Sequence, residues 1–173
     1  GESLIAHRRI LCVGGVSAER ATSLVQLRAR FVCAIDADPT RIEEVRGAGH
    51  PQNLSLQCMP YGALTFRDGS FDLVILPEIG RIDDRAALVA EARRVLDPRG
   101  YLAAFTRNRG CSSSLSRDED SDGGSVSYDD LYGTLAEHFT VVTMFGQSPF
   151  VGYGVVDFTP ADEEPPISFD ASL

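Results

Sequence analysis

The sequence predicts an α/β protein with a doubly wound, mostly parallel seven-stranded sheet and a C-terminal antiparallel β-hairpin. Three observations predict it. Five short apolar runs lie between residues 9 and 106, and helical patterns follow most of them, as expected of parallel strands joined by crossovers. The stretch Arg9-Ile-Leu-Cys-Val-Gly-Gly-Val-Ser-Ala-Glu-Arg20 reads as strand, glycine turn and helix, the first half of a βαβ unit. Two late apolar runs, 139–145 and 151–158, flank Gly146-Gln-Ser-Pro-Phe150, which is a hairpin pattern.

The elements follow in order. Residues 9–14 form the first strand and 17–29 the first helix. Phe31-Val-Cys-Ala-Ile35 is the second strand and ends at Asp36. Asp38 caps the second helix, with Pro39 at its first position, and Gly47-Ala-Gly49 stops it. Leu54 to Cys58 is a third strand, Pro60 to Ser70 a loop, and Phe71 to Leu76 a fourth strand closed by Pro77. Asp83-Asp84 cap a helix from Arg85 to Leu96, and Asp97-Pro-Arg-Gly100 ends it. Tyr101 to Thr106 is the fifth strand, and Tyr128 to His138 the last helix.

A chain of 173 residues is long enough for one domain with a substantial core. Hydrophobic residues make up 43% and charged residues 24%, as in an ordinary globular chain, and no apolar run is long enough to cross a bilayer. Gly1-Glu2-Ser3 lacks the pattern of a signal peptide. Cys12, Cys33, Cys58 and Cys111 form no C-x-x-C pair, so neither a zinc site nor a disulfide framework is expected. A cytoplasmic protein with reduced thiols is the resulting expectation.

All 16 basic residues are arginine. Residues 1–110 hold 15 Arg against 13 acids, whereas 111–173 hold one Arg against 12 acids. The acidic C-terminal third argues against nucleic-acid binding through that part. Residues 107–127 are long, polar and poor in apolar side chains, and are expected to be a flexible loop. Residues 159–173 hold three prolines, four acids and no base, the composition of an acidic tail or a linker to a further domain. The expected organisation is a domain over 1–158 followed by the tail at 159–173.

Over residues 8–158 the order of elements resembles the class I S-adenosylmethionine-dependent methyltransferase family. Leu64-Thr-Phe-Arg-Asp-Gly-Ser-Phe-Asp-Leu-Val74 is similar to the family's LPF-x-D-x-SFD-x-V stretch, and Ala92-Arg-Arg-Val-Leu-Asp-Pro-Arg-Gly-Tyr-Leu102 to its RVLKPGG-x-L stretch. Cys33-Ala-Ile-Asp36-Ala-Asp38 is similar to the acidic end of the family's second strand.

The resemblance implies a cofactor-binding set of Gly14, Gly15, Val16, Asp36, Ala37, Tyr61, Pro77 and Glu78, with no catalytic residue assigned and no metal. Asp36 either accepts the ribose hydroxyls of S-adenosylmethionine or serves as a helix-start residue beside Asp38-Pro39. Tyr61 either stacks on a base or packs locally. Glu78 either acts as a base or orients an amine, or it is a solvated loop acid. The family's glycine loop reads acidic-x-Gly-x-Gly-x-Gly. Here Gly14 fits the first glycine, Val16 and Ala18 replace the others, and Cys12 replaces the acid. The family's acid for the adenine amino group falls at Pro60-Tyr61.

Two functions follow. The first is a methyltransferase-like domain with a degenerate cofactor site, acting as a binding or regulatory module with a protein partner or a fused downstream domain. The alternative is an active methyltransferase acting on a small molecule or protein. A nicotinamide- or nucleotide-binding domain is disfavoured, because no G-x-G-x-x-G is present.

Overall fold

Ile10, Leu11, Cys12 and Val13 are consecutive and all buried, which requires a strand covered on both faces. The computed structural model describes residues 2–15, 17–47, 51–108 and 124–146. After a short helix α1 (Glu2–Ile5) the chain forms β1 (Arg9–Val13), α2 (Ala18–Gln26), β2 (Phe31–Asp36), α3 (Pro39–Gly47), β3 (Leu54–Cys58) and β4 (Phe71–Leu76). A 3-10 turn (Ile79–Arg81), α4 (Arg85–Val95), β5 (Leu96–Ala104), β6 (Arg107–Asn108), β7 (Ser125–Val126) and α5 (Tyr128–Ala136) complete it.

Five strands form one parallel sheet in the order β3-β2-β1-β4-β5. β1 is central, pairing Leu11 with Cys33 on one side and with Val74 on the other. Side chains alternate across it. Ile10 and Cys12 join Ala21, Leu24, Ile42 and Val45 on the α2–α3 face. Leu11 and Val13 join Leu88, Val89, Ala92, Leu131 and Leu135 on the α4–α5 face. The order reverses between β1 and β4, so the crevice outside their carboxyl ends is where such a sheet binds ligands.

The helix starts obey local chemistry. Ser17 Oγ accepts from the Arg20 N–H at 3.2 Å, Asp84 from Ala87 at 3.0 Å and Ser127 from Asp130 at 3.1 Å. Asp38 accepts from the Thr40 N–H at 2.9 Å and from its hydroxyl at 2.6 Å, which holds its carboxyl below the usual range.

One expectation needs correction. The fifth strand begins at Leu96 rather than Tyr101. Phe71 pairs with Leu96 and Leu73 with Tyr101, so the Asp97–Gly100 turn bulges out of a ladder that has already begun. The sheet has five strands among the described residues. Residues 139–146 carry no strand or helix: Val142 and Met144 pack on the core, while Val141 and Phe145 face outward. A strand needs a ladder partner, and the expected one, residues 151–158, lies outside the described residues, as does the tail 159–173.

The ends of the expected 107–127 loop are tied together. β6 and β7 pair in parallel, and the Thr106 hydroxyl donates to the Gly124 carbonyl at 3.1 Å. A Cβ at Gly80 would lie 1.9 Å from that same carbonyl, so the 3-10 turn abuts the clamp without room for a side chain. Residues 109–123 lie outside the described residues.

Candidate functional site

β1, β2 and β4 all run toward one edge, and this brings Gly14, Gly15, Asp36, Ala37, Pro77 and Glu78 to it. Gly14 and Gly15 have φ of +75° and +57°, left-handed values that favour glycine. The Gly14 N–H donates to the Ile35 carbonyl at 2.9 Å, tying the turn to β2. Val16 lies outside the described residues.

Asp36 is buried at 2% exposure, although it is a carboxylate. Such a group needs partners, and it has them. The Asp38 N–H donates to Oδ1 at 3.0 Å, and Arg41 Nη1 stands 3.7 Å from Oδ2. Tyr61 comes from the β3–β4 loop, 25 residues away, and its hydroxyl donates to Asp36 Oδ1 at 3.0 Å. That hydroxyl also accepts the Ala37 N–H at 3.2 Å. Burial, with the Asp36 contact behind it, pushes the Tyr61 phenol up to about 12, so it remains a donor.

Tyr61 also stands over the glycine turn. A Cβ at Gly14 would lie 3.3 Å from its hydroxyl oxygen and 3.5 Å from Cζ. At Gly15 a Cβ would meet Arg20 Nη1 and Glu78 Cδ, each at 3.1 Å. Arg20 donates to the Gly15 carbonyl, and Arg81 Nε lies 3.7 Å from Glu78 Oε2. The chain's own side chains therefore cover the backbone that a ligand would approach. Pro77 follows β4 and leads to Glu78.

Cys12 lies on β1, two residues before Gly14. It is buried on the α2–α3 face, and burial pushes its thiol up to about 12, so it contributes no negative charge. Sequence reasoning missed Arg20 and Arg41. Arg20 was visible only as part of a helical pattern, and Arg41 only as the third residue after Asp38; neither signal marks a site.

A profile of the methyltransferase domain family matches residues 11–104, more than half of the chain. The chain belongs to the class I S-adenosylmethionine-dependent methyltransferase family. Among solved structures, it is similar to a chain from the complex between the Haloferax volcanii Trm112 methyltransferase activator and a methyltransferase. The TM-score is 0.68 at 16% identity, covering 78% of this chain and 62% of that one. It is similar to the [4+2]-cyclase SpnF, with a TM-score of 0.65 at 20% identity over 79% and 53% of the two chains. It is also similar to a SAM-dependent methyltransferase from Aquifex aeolicus, with a TM-score of 0.64 at 16% identity over 79% and 74%. At such identities the likeness is one of fold. The chain spans 62% and 53% of the first and second of these structures. No curated protein matches the sequence.

The family's cofactor carries a sulfonium and an ammonium group, a ribose diol and an adenine. At this methyltransferase-type edge the positions such a cofactor would meet are in contact with the chain's own side chains. The diol acceptor, Asp36, is engaged by Tyr61, and the glycine turn is covered by Tyr61, Glu78 and Arg20. Among the described residues no cluster of three or more His, Cys, Asp or Glu is placed to hold a metal, and no helix is long and apolar enough to cross a membrane.

Proposed function

We propose that this domain keeps the methyltransferase fold as a binding or regulatory module and does not use S-adenosylmethionine for catalysis. The observation that carries the reading is the Tyr61–Asp36 contact over Gly14, which turns the cofactor's acceptor inward. The substitution of Cys12 for an acid and the Arg20 guanidinium on the Gly15 carbonyl support it. Two relatives by fold support a role other than methyl transfer by a lone chain. One structure contains a protein activator together with a methyltransferase, and another protein is a cyclase.

The module reading takes residues 1–158 as the domain. Residues 151–158 would pair with 139–145 and extend the sheet beyond β5. Residues 159–173 would be the acidic connection to a protein partner or a downstream domain, in a cytoplasmic setting. Val141 and Phe145, 81% and 92% exposed, are the apolar side chains that such completion would cover.

An active methyltransferase is the second reading, favoured by Asp36 at the end of β2 and by the family match over 11–104. Calorimetric titration of the whole chain with S-adenosylmethionine and S-adenosylhomocysteine separates the two. The module reading expects no heat of binding; micromolar affinity for either ligand overturns it.

A further inference from the structure

We propose that the sheet edge opposite the glycine turn, where the amino ends of the strands lie, is an acid-binding docking surface whose occupant is the chain's own segment 159–173. Arg8 and Arg30 stand side by side there, one position before the first β1–β2 ladder pair, Arg9 with Phe31. The Arg30 N–H donates to the Arg8 carbonyl at 3.0 Å. Arg28 is tied beside them, its carbonyl accepting the His7 N–H at 2.8 Å. On the other flank the Gly69 N–H donates to the Arg94 carbonyl at 3.1 Å, which brings the loop carrying Arg67 to the end of α4 that carries Arg93. Arg99 lies in the bulge of β5.

The acids of this edge are already engaged. Asp72 is held by Arg9 and Asp68 by Arg94, and Asp97 Oδ1 accepts the Arg99 backbone N–H at 2.9 Å. Arg8, Arg28, Arg30, Arg67, Arg93 and Arg99 make no ion pair among the described residues, and all but Arg8 are exposed. The Arg8 guanidinium stands 5.5 Å from the centre of the exposed Tyr101 ring. An open cleft of about 550 Å³ on the same edge is lined by Asp68, Gly69, Arg93, Arg94, Leu96 and Pro98. Free guanidiniums around an aromatic ring, beside a cleft with Leu96 and Pro98 in its wall, suit a segment that interleaves carboxylates with apolar side chains.

Residues 159–173 have that composition. Asp162-Glu-Glu164 leads into Pro165-Pro-Ile-Ser-Phe169 and then Asp170, with no base among them. From residue 146 to Asp162 is 16 residues, a chain length of at most about 55 Å. A domain of this size has a radius of gyration of about 15 Å, so the segment can reach the edge. Tethering gives it an effective concentration in the millimolar range, which favours it over an acidic segment of another molecule. A nucleic acid is disfavoured. The whole chain carries a net charge of −9, and a long polyanion meets that field, whereas a short segment meets the arginines within a Debye length of about 10 Å.

The whole chain is compared as wild type, with the edge neutralised (Arg67→Gln/Arg93→Gln/Arg99→Gln) and with the segment neutralised (Asp162→Asn/Glu163→Gln/Glu164→Gln). At low salt, chymotrypsin should cleave after Phe169 at least about fivefold faster in both variants than in wild type, because cleavage follows the released fraction. Salt at about 0.5 M should shift the Ile167 and Phe169 amide resonances of wild type toward the positions they take in the segment variant, a readout that stands if the edge variant folds poorly. A synthetic peptide of residues 159–173 should bind the segment-neutralised chain at least about tenfold tighter than wild type, whose surface is already taken. Equal cleavage and equal resonances throughout overturn the proposal, as does equal peptide affinity for the two chains. Release of the segment on dilution assigns the surface to a second copy and overturns the intramolecular occupant. So does tighter binding of a DNA duplex of about 20 base pairs than of the peptide by the segment-neutralised chain. None of these readouts involves S-adenosylmethionine, so they stand or fall apart from the module reading.

Discussion

Arg94 and Glu91, three residues apart on α4, are joined by two N–H···O bonds of 2.9 and 2.8 Å, and together they hold the loop that leads into β4. Arg94 donates to the carbonyls of Leu64 and Phe66 at 2.7 and 2.8 Å and to Asp68 Oδ1 at 2.8 Å. Glu91 Oε2 accepts the Leu64 N–H at 2.8 Å. The two stretches most similar to the family, 64–74 and 92–102, are therefore bound to each other. Their shared role is to brace the fold, which a domain needs whether or not it carries a cofactor.

Replacing Arg94 should be costly for stability and neutral for any ligand. Arg94→Met keeps the stem but leaves two loop carbonyls and two carboxylates without their donor. Loss of charge-assisted hydrogen bonds on a half-exposed side chain amounts to about 2 kcal/mol. Urea denaturation checks it. A loss below about 0.5 kcal/mol would show that water replaces the guanidinium at no cost.

Acid should weaken the sheet through a second clamp. Arg9 donates to Asp72 from its backbone N–H at 2.8 Å, from Nε at 3.1 Å and from Nη2 at 2.7 Å. The hydrogen bond from the Arg9 side chain outweighs burial and holds the Asp72 carboxyl below the usual range. Glu91 is lowered in the same way, by Arg94 first. A carboxyl lowered in the folded state stabilises above its unfolded pKa, about 4, and the gain is lost as pH falls through the folded value. The melting temperature should fall between pH 5 and 3, with a shallower slope in Asp72→Asn. A partly exposed pair of this kind contributes about 1 kcal/mol. Identical slopes in the two proteins would refute the assignment.

The thiols should divide by location. Cys12 and Cys33 are buried, and burial pushes them up to about 12 and about 11. Cys58, at the end of β3, is exposed. Iodoacetamide at pH 8, followed by peptide mass mapping, should label Cys58 at least about a hundredfold faster than the two strand cysteines, since reaction needs both access and thiolate. Comparable labelling of Cys12 would mean that the α2–α3 face opens readily.

The sequence by itself determined the strands, the helix starts and the parallel order of the fold's first half. Those features are local: runs such as Ile10–Val13 and Phe71–Leu76 bury on contact, and Ser17, Asp84 and Ser127 cap helices within three residues of themselves. It also placed Gly14, Asp36 and Glu78 at strand ends, where a doubly wound sheet presents its ligand edge. It misplaced the start of β5, because the Asp97–Gly100 turn reads as a stop and only the pairing of Phe71 with Leu96 shows that the ladder begins before it. The tertiary structure alone decided what the edge does with its residues. Tyr61 reaches Asp36 across 25 positions, and Glu78 reaches Gly15 across 63, through a loop and a strand end whose directions no local pattern encodes. A carboxylate buried at 2% exposure takes the nearest donor the fold delivers, and here that donor is the chain's own tyrosine.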